Sequence, residues 1–155
     1  MQQVVKIVDI LKSKNQTISF AESCTGGLVA SAFTSIAGVS SVFNGSMVTY
    51  SNEIKNQWLG VDNNILENFG AVSCECVEEM LKGIKSKSKS DYAIAISGIA
   101  GPTGGSEFKP VGTVYIGVIT PNDIIVEKFL FDGDRENIQK MARNMAISMI
   151  YKEII

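Results

Sequence analysis

The sequence predicts a three-layer α/β/α domain built around a mixed β-sheet. Helix-type and strand-type patterns follow one another in the order α-β-α-β-α-α-α-β-β-β-α. The run DYAIAIS at 91–97 is almost entirely apolar, as expected for a central strand covered on both faces. The strand patterns TVYIGVIT and IIVEKFLF flank a turn at 121–123, which predicts a hairpin and therefore an antiparallel component. With 155 residues, the chain is predicted to form a single domain spanning 1–155.

Four segments in the first third of the chain predict the first helices and strands. Residues 3–13 carry apolar side chains at helical spacing, which indicates an amphipathic helix. The stretch TISFA at 17–21 is a short β-rich run, and residues 26–36 return to a helical pattern. Residues 41–51 end in three β-forming side chains and predict the second strand.

The remaining helices are recognisable by their ends as well as by their apolar spacing. Helices are predicted at 52–60, 65–70, 74–85 and 135–154, and the first two end in glycine. A serine or aspartate before a helix can accept hydrogen bonds from its first free amides. The predicted N-cap residues are Ser51, Asp62 and Asp134.

Composition excludes several kinds of protein. The chain has no histidine, which removes Ser-His-Asp and Cys-His mechanisms and most transition-metal sites. Its three cysteines do not have zinc-ligand spacing, so no metal is expected. A formal net charge of −2 predicts no nucleic-acid surface. The sequence shows neither a signal peptide nor an apolar run of membrane-spanning length, so a cytoplasmic protein without membrane association is predicted.

The stretch AESCTGG at 21–27 lies where the first strand turns into a helix. Free amides at a helix start favour negative charge, so Ser23, Thr25, Gly26 and Gly27 suit an anion or a developing oxyanion. The alternative is that Ser23 or Thr25 only caps the helix. Cys24 is a second possible nucleophile, although core packing is the more ordinary role of such a cysteine.

The stretch VTYSNEIK at 48–55 supplies a group that could replace histidine as a base. A lysine can accept a proton near neutral pH if burial lowers its pKa. Lys55 follows a strand end by one helical turn, and the hydroxyl of Tyr50 could relay a proton or hold the lysine. The alternative is a solvated helix lysine beside a half-buried tyrosine.

The glycine-rich segment that follows the central strand, SGIAGPTGGSEFKPVGT at 97–113, is a third candidate. Its glycines leave backbone amides free to approach a ligand, and a flexible hairpin is the alternative. Arg135, at the start of the last helix, carries a guanidinium suited to phosphate or carboxylate, although a surface ion pair is equally compatible. The substrate-binding candidates in this part of the chain are Ser97, Gly98, Gly104, Gly105 and Arg135.

Together, AESCTGGL, VTYSNEIK, SGIAGPTGG, KPVGTVYIG and GDR closely resemble the CinA C-terminal domain family, from about residue 3 to the end of the chain. The resemblance implies hydrolysis of the carboxamide of nicotinamide mononucleotide (NMN) to nicotinate mononucleotide and ammonia, in pyridine-nucleotide salvage. It also implies that no metal or cofactor is needed. The chain is similar to the stand-alone form, without the N-terminal domain of longer family members.

The resemblance also implies roles for individual residues. Ser23 is expected to be the nucleophile, Lys55 its base and Tyr50 an assisting group, with amides of residues 24–26 stabilising the oxyanion. Ser97 stands where related sequences often have threonine and is expected to join their hydrogen bonds. The expected phosphate ligands are Arg135, the glycine-rich loop and Ser40.

Two alternatives in function remain open from the sequence. The chain could be a catalytically silent nucleotide-binding module that acts through partners in competence or DNA damage, or an amidase or phosphatase with another substrate. Apolar residues of the last helix suggest a homo-oligomer, such as a dimer, but a helix that closes the core has the same pattern. These residues are Met141, Met145, Ile147, Met149 and Ile150.

Overall fold

A computed structural model describes residues 1–155 as five strands and six α-helices. The strands are β1 (Ile18–Glu22), β2 (Phe43–Val48), β3 (Tyr92–Gly98), β4 (Thr113–Ile119) and β5 (Ile124–Leu130). The helices are α1 (Gln2–Lys14), α2 (Leu28–Thr34), α3 (Asn52–Leu59), α4 (Asn63–Asn68), α5 (Cys74–Ser88) and α6 (Arg135–Ile154). A 3-10 turn at Val39–Ser41 precedes β2 and is the one element that the predicted order lacked.

The five strands form one mixed sheet in the order β2-β1-β3-β4-β5. Strands β2, β1 and β3 are parallel, and the β4–β5 hairpin adds antiparallel to β3. The carboxyl ends of β1, β2 and β3 therefore meet at one edge of the sheet, where α/β proteins usually bind ligands. The mixed α/β sheet predicted from the hairpin is confirmed.

Helices cover both faces of the sheet. One apolar core joins the sheet to α1, α2 and α6, and a second joins it to α3, α4 and α5. Strand β3 contributes Ile94 and Ile96 to the first core and Ala93 and Ala95 to the second. The small alanines leave room for α5, and this alternation explains why the whole run is apolar.

The predicted helix caps are present. The side chains of Ser51, Asp62 and Asp134 each accept a hydrogen bond from an amide in the first turn of their helix. The start of α2 differs from the prediction, because Gly26 and Gly27 adopt left-handed φ angles of 58° and 101° and the helix begins after them.

None of the six helices is both long and apolar enough to cross a lipid bilayer. No group of three or more cysteine or acidic side chains comes together in a way that could hold a metal ion. In α6, Ile147, Met149 and Ile150 are buried in the first core, whereas Met141 and Met145 are only partly buried. Closure of the core thus accounts for three of the five apolar residues that also suggested an interface.

Candidate active site

Ser23 and Lys55 lie in contact at the carboxyl edge of the sheet. The Nζ atom of Lys55 lies 3.0 Å from Oγ of Ser23. Ser23 directly follows β1, and its amide donates to the carbonyl of Ile96 at 3.0 Å, which continues the ladder with β3. Lys55 lies in the first turns of α3, whose start is fixed by the Ser51 cap. The nucleophile and base predicted about 30 residues apart in sequence are therefore positioned by two well-anchored elements.

Lys55 is buried without a carboxylate partner. Its side chain is 1% exposed, and both salt bridges of the chain involve other lysines. Burial lowers the pKa of Lys55 from its ordinary 10.5. The thiols of Cys76 and Cys24 are close enough to oppose this effect, but burial raises their own pKa values to about 11 and about 12. Both thiols are therefore uncharged near neutral pH, and burial determines the pKa of the lysine.

The three neighbours of the Lys55 nitrogen define where its lone pair can point. The carbonyl oxygens of Thr49 and Tyr50 lie 2.7 Å and 3.1 Å away, and a carbonyl oxygen can only accept. A neutral amine has two N–H groups and one lone pair. When both N–H groups are donated to the carbonyls, the lone pair is left for the Ser23 hydroxyl, the only neighbour of the three that can donate.

The turn after Ser23 leaves the amides of Cys24, Thr25 and Gly27 without an acceptor, and the first two belong to the residues directly after the nucleophile. The amides of Cys24 and Thr25 donate to no group of the chain, whereas that of Gly26 donates to the carbonyl of Ser23 at 3.0 Å. The left-handed conformation of Gly26 and Gly27 delays the start of the helix until Leu28. Two unpaired N–H groups next to a nucleophile are the arrangement that stabilises an oxyanion.

Cys24 itself is an unsuitable nucleophile. Its thiol is 4% exposed and packs in the first core, and burial raises its pKa to about 12 from the ordinary 9.0. The thiolate, which is the reactive form, is therefore scarce near neutral pH. The ordinary role considered for Cys24, core packing, agrees with this geometry.

Tyr50 and Arg135 meet above the site. Nη2 of Arg135 donates to the Tyr50 hydroxyl at 2.8 Å, and Nη1 donates to the carbonyl of Gly101 at 2.7 Å. The Tyr50 side chain is 59% exposed, and no hydrogen bond joins its hydroxyl to Lys55 or Ser23. Tyr50 thus holds the lysine through its main-chain carbonyl, while its hydroxyl belongs to the Arg135 cluster.

The glycine-rich loop follows β3 at the same edge of the sheet. Ser97 is 1% exposed and follows the residue that accepts the Ser23 amide, but no hydrogen bond joins its hydroxyl to Ser23 or Lys55. A Cβ at Gly98 would meet the side chain of Val114 at 2.7 Å and the carbonyl oxygen of Thr113 at 2.9 Å, so a larger residue would force this strand end to shift. Gly104 and Gly105 lie farther along the loop.

Residues 2–154 match the model of the family described as CinA, CinA C-terminal domain. The chain belongs to this family. Two curated relatives are a CinA-like protein of Fervidobacterium nodosum, 52% identical, and a putative competence-damage inducible protein of Caldicellulosiruptor saccharolyticus, 47% identical. Each alignment covers 96% of this chain, and the chain spans 36% of the length of each relative.

Solved structures of the family have the same fold as this CinA domain. The competence damage-inducible protein A (ComA) of Klebsiella pneumoniae is 32% identical and superposes with a TM-score of 0.95, covering 99% of this chain and 95% of that one. The competence/damage inducible protein CihA of Agrobacterium tumefaciens is 37% identical with a TM-score of 0.95, covering 97% and 93%. The family resemblance and the predicted fold class are therefore confirmed.

The fold of the CinA domain does not bring every predicted residue to Ser23. Ser40 is exposed in the turn before β2, and the first residue of β2, Phe43, pairs with Ile18 at the start of β1. Ser23 follows the other end of β1, so the length of that strand, about 15 Å, separates it from Ser40. Ser40 therefore lies at the opposite edge of the sheet.

One residue of the site was not among the predicted ones. Glu22, immediately before Ser23, is completely buried, and its carboxylate accepts hydrogen bonds from the start of α2. Acidic residues are common near helix starts, but Glu22 stands six residues before Leu28, the first residue of α2. Its role depends on a turn of non-helical residues that sequence spacing does not reveal.

Proposed function

We propose that this CinA domain is an amidohydrolase that converts NMN and water to nicotinate mononucleotide and ammonia, as one domain covering residues 1–155. The observation that carries the proposal is a buried lysine with no carboxylate partner, 3.0 Å from a serine hydroxyl. A buried lysine is costly unless it is paired or has a function, and a lowered pKa is what a general base requires. In a chain without histidine, Lys55 is the group that can activate Ser23.

The reaction proceeds through an acyl-enzyme. Oγ of Ser23 attacks the carboxamide carbon while neutral Lys55 accepts the hydroxyl proton. The C–N bond then breaks, and the Lys55 ammonium returns the proton to the departing nitrogen, which leaves as ammonia. Water attacks the resulting ester while Lys55 takes its proton, and when the ester C–O bond breaks, Lys55 returns that proton to Oγ of Ser23 and the nicotinate product leaves. These steps use side chains and water alone.

The unpaired amides after Ser23 stabilise the tetrahedral intermediate in this scheme. The amides of Cys24 and Thr25 have no acceptor within the chain and belong to the two residues that directly follow Ser23. Donors of this kind typically contribute about 10²–10³ in kcat each. Gly26, which was also expected to contribute its amide, donates it to the Ser23 carbonyl instead.

Arg135 and Tyr50 are proposed to bind the phosphate of the substrate with help from the glycine-rich loop. The Arg135 guanidinium donates only to a carbonyl and a hydroxyl, neither of which carries a charge. A phosphate could replace these partners with charge-assisted hydrogen bonds. Ser97, Gly98, Gly104 and Gly105 remain candidates for the rest of the substrate pocket.

The decisive experiment measures ammonia release from NMN by the wild type, Ser23→Ala and Lys55→Ala. Both variants should lose about 10³-fold or more in kcat, because each lacks a group that forms the acyl-enzyme. Lys85→Ala is the matched control, since Nζ of Lys85 also donates to a main-chain carbonyl, that of Thr120, at 3.0 Å. Thr120 follows β4 at the opposite edge of the sheet, so this variant should retain normal kcat.

Near-normal turnover by Lys55→Ala would contradict the Ser/Lys mechanism. Calorimetric titration of the wild type with NMN measures binding independently of turnover and so tests the alternative function. Binding of NMN without any ammonia release by the wild type would favour a catalytically silent nucleotide-binding module.

A further inference from the structure

Glu22 holds the turn that follows the nucleophile. Its Oε1 accepts from the hydroxyl of Thr25 at 2.7 Å and from the amide of Val29 at 3.0 Å, and Oε2 accepts from the amide of Ala30 at 3.0 Å. Oε2 also lies 3.5 Å from the hydroxyl of Ser46. The carboxylate is 0% exposed, so these four groups are its whole environment of donors.

The partners of Glu22 tie the turn to the helix behind it. An ionised carboxylate is strongly destabilised by burial unless hydrogen bonds compensate. Here the compensation comes from amides at the start of α2 and from the side chain of Thr25, whose own amide is free. The same carboxylate therefore fixes α2 and Thr25 relative to β1.

A second contact fixes the peptide plane between Cys24 and Thr25. Nε2 of Gln139, on α6, donates to the carbonyl of Cys24 at 2.8 Å. A trans peptide points its N–H opposite to its C=O, so holding the Cys24 carbonyl also orients the Thr25 amide. Gln139 and Glu22 thus hold the same turn from two different elements.

We propose that Glu22, with Gln139, is a positioning residue of the oxyanion hole, holding the Thr25 amide unpaired and directed to the intermediate on Ser23. The inference rests on the proposed function. Neither side chain touches Ser23 or Lys55 by a hydrogen bond, so each acts through the turn. Oxyanion donors that shift even slightly lose much of their effect on the transition state while ground-state binding changes little.

The test compares kcat and KM for ammonia release from NMN in Glu22→Gln and Gln139→Met. In Glu22→Gln, one carboxylate oxygen becomes an NH2 group that can only donate, so either the Val29 or the Ala30 amide loses its acceptor and the turn should shift. We expect kcat to fall about 10- to 100-fold with KM within about threefold. Gln139→Met keeps the side-chain length and loses the donor, and a fall of about 3- to 10-fold is expected. The rate of Ser23 acylation by p-nitrophenyl acetate, followed by mass spectrometry, should fall in parallel.

Phe33→Leu is the control for a loss of stability without a shift of the turn. Phe33 is buried on α2, one turn beyond the residues that Glu22 binds, so the variant should lower Tm but keep kcat. If Glu22→Gln fails to fold, Gln139→Met carries the test. If Glu22→Gln folds, a normal kcat in that variant would overturn this inference but not the proposed function. If only Gln139→Met folds, a normal kcat in Gln139→Met would do the same. A wild type with neither ammonia release nor acylation would overturn the proposed function as well.

Discussion

Replacing Lys55 by methionine should change how the stability of the protein depends on pH. Methionine keeps most of the buried stem and removes the only ionisable group of that side chain. The amine lies among two carbonyl oxygens and one hydroxyl, with no carboxylate to compensate its charge. Wild type and Lys55→Met therefore differ in the cost of burying a protonated amine.

The sign follows from the lowered pKa of Lys55, which burial brings below 10.5. Between the folded-state pKa and 10.5, the unfolded chain binds more protons than the folded chain, so the free energy of unfolding rises with pH. The slope reaches at most about 1.4 kcal/mol per pH unit. Below the folded-state pKa the full penalty is present, and above the unfolded-state pKa it is absent.

The variant adds an offset that does not depend on pH. The carbonyls of Thr49 and Tyr50 lose their shared donor, which costs about 1–3 kcal/mol for each acceptor that stays buried. The thiols of Cys24 and Cys76 have raised pKa values, so their contribution is present below 9.0 and is lost as pH rises further. Because both proteins contain these thiols, the effect of burial on them cancels in the difference between wild type and variant. Only their attraction to the Lys55 ammonium remains, and it acts where the thiols ionise, above pH 9.0.

Urea denaturation of both proteins from pH 6 to 10.5 measures this difference. The stability of wild type relative to Lys55→Met should rise with pH inside the window and reach its highest value at the alkaline end. A difference that stays constant over the whole range would show that folding does not lower the pKa of Lys55. The proposed role of Lys55 as a neutral base would then lose its physical reason.

Two further predictions concern the contact of Tyr50 with Arg135 and the packing of α5 against α3. Tyr50→Phe should raise KM for NMN by up to about tenfold and leave kcat within about threefold, because the hydroxyl contacts Arg135 and not Lys55. Steady-state kinetics would contradict this if kcat fell sharply at constant KM. Gly83→Ala should destabilise the protein by about 1–3 kcal/mol in urea, since the new Cβ would collide with the carbonyl of Leu59, whereas the exposed Ser86→Ala on the same helix should be neutral or slightly stabilising.

Features of the fold that depend on neighbouring residues were predictable from the sequence. Ser51 and Asp134 cap their helices through contacts three residues away, and the 113–130 hairpin depends on one short turn. The start of α2 was wrong by two residues, because Gly26 and Gly27 are left-handed and the first amides of α2 donate to Glu22 of β1. Residue types typical of helices do not predict where a helix begins when a buried side chain from another element holds the preceding turn.

The same distinction between local contacts and contacts between distant residues applies to the candidate site. The contact of Ser23 with Lys55 is present as predicted, because a strand end and a capped helix place both groups at one sheet edge. The contact of the Tyr50 hydroxyl with Arg135 joins residues 85 positions apart, and only the tertiary structure brings them together. Ser40 was expected at the site but is not there. It precedes β2, at the amino end of that strand, whereas Ser23 and Lys55 lie at the carboxyl ends of the parallel strands.

The proposed roles of Glu22 and Lys55, the two buried ionisable residues of the site, require that they be kept apart. Glu22 and Ser23 are adjacent, but alternation along a strand sends Glu22 to the amides of α2 and Ser23 to Lys55. A carboxylate about 4 Å from the ammonium would stabilise the charged form by about 4 kcal/mol at an effective dielectric of about 20, equivalent to about three pKa units. That attraction would oppose the effect of burial and hold Lys55 protonated at neutral pH. Because Glu22 is bound by the helix amides and nearby hydroxyls instead, no carboxylate opposes the lowering of the Lys55 pKa by burial, and the lysine can accept the serine proton.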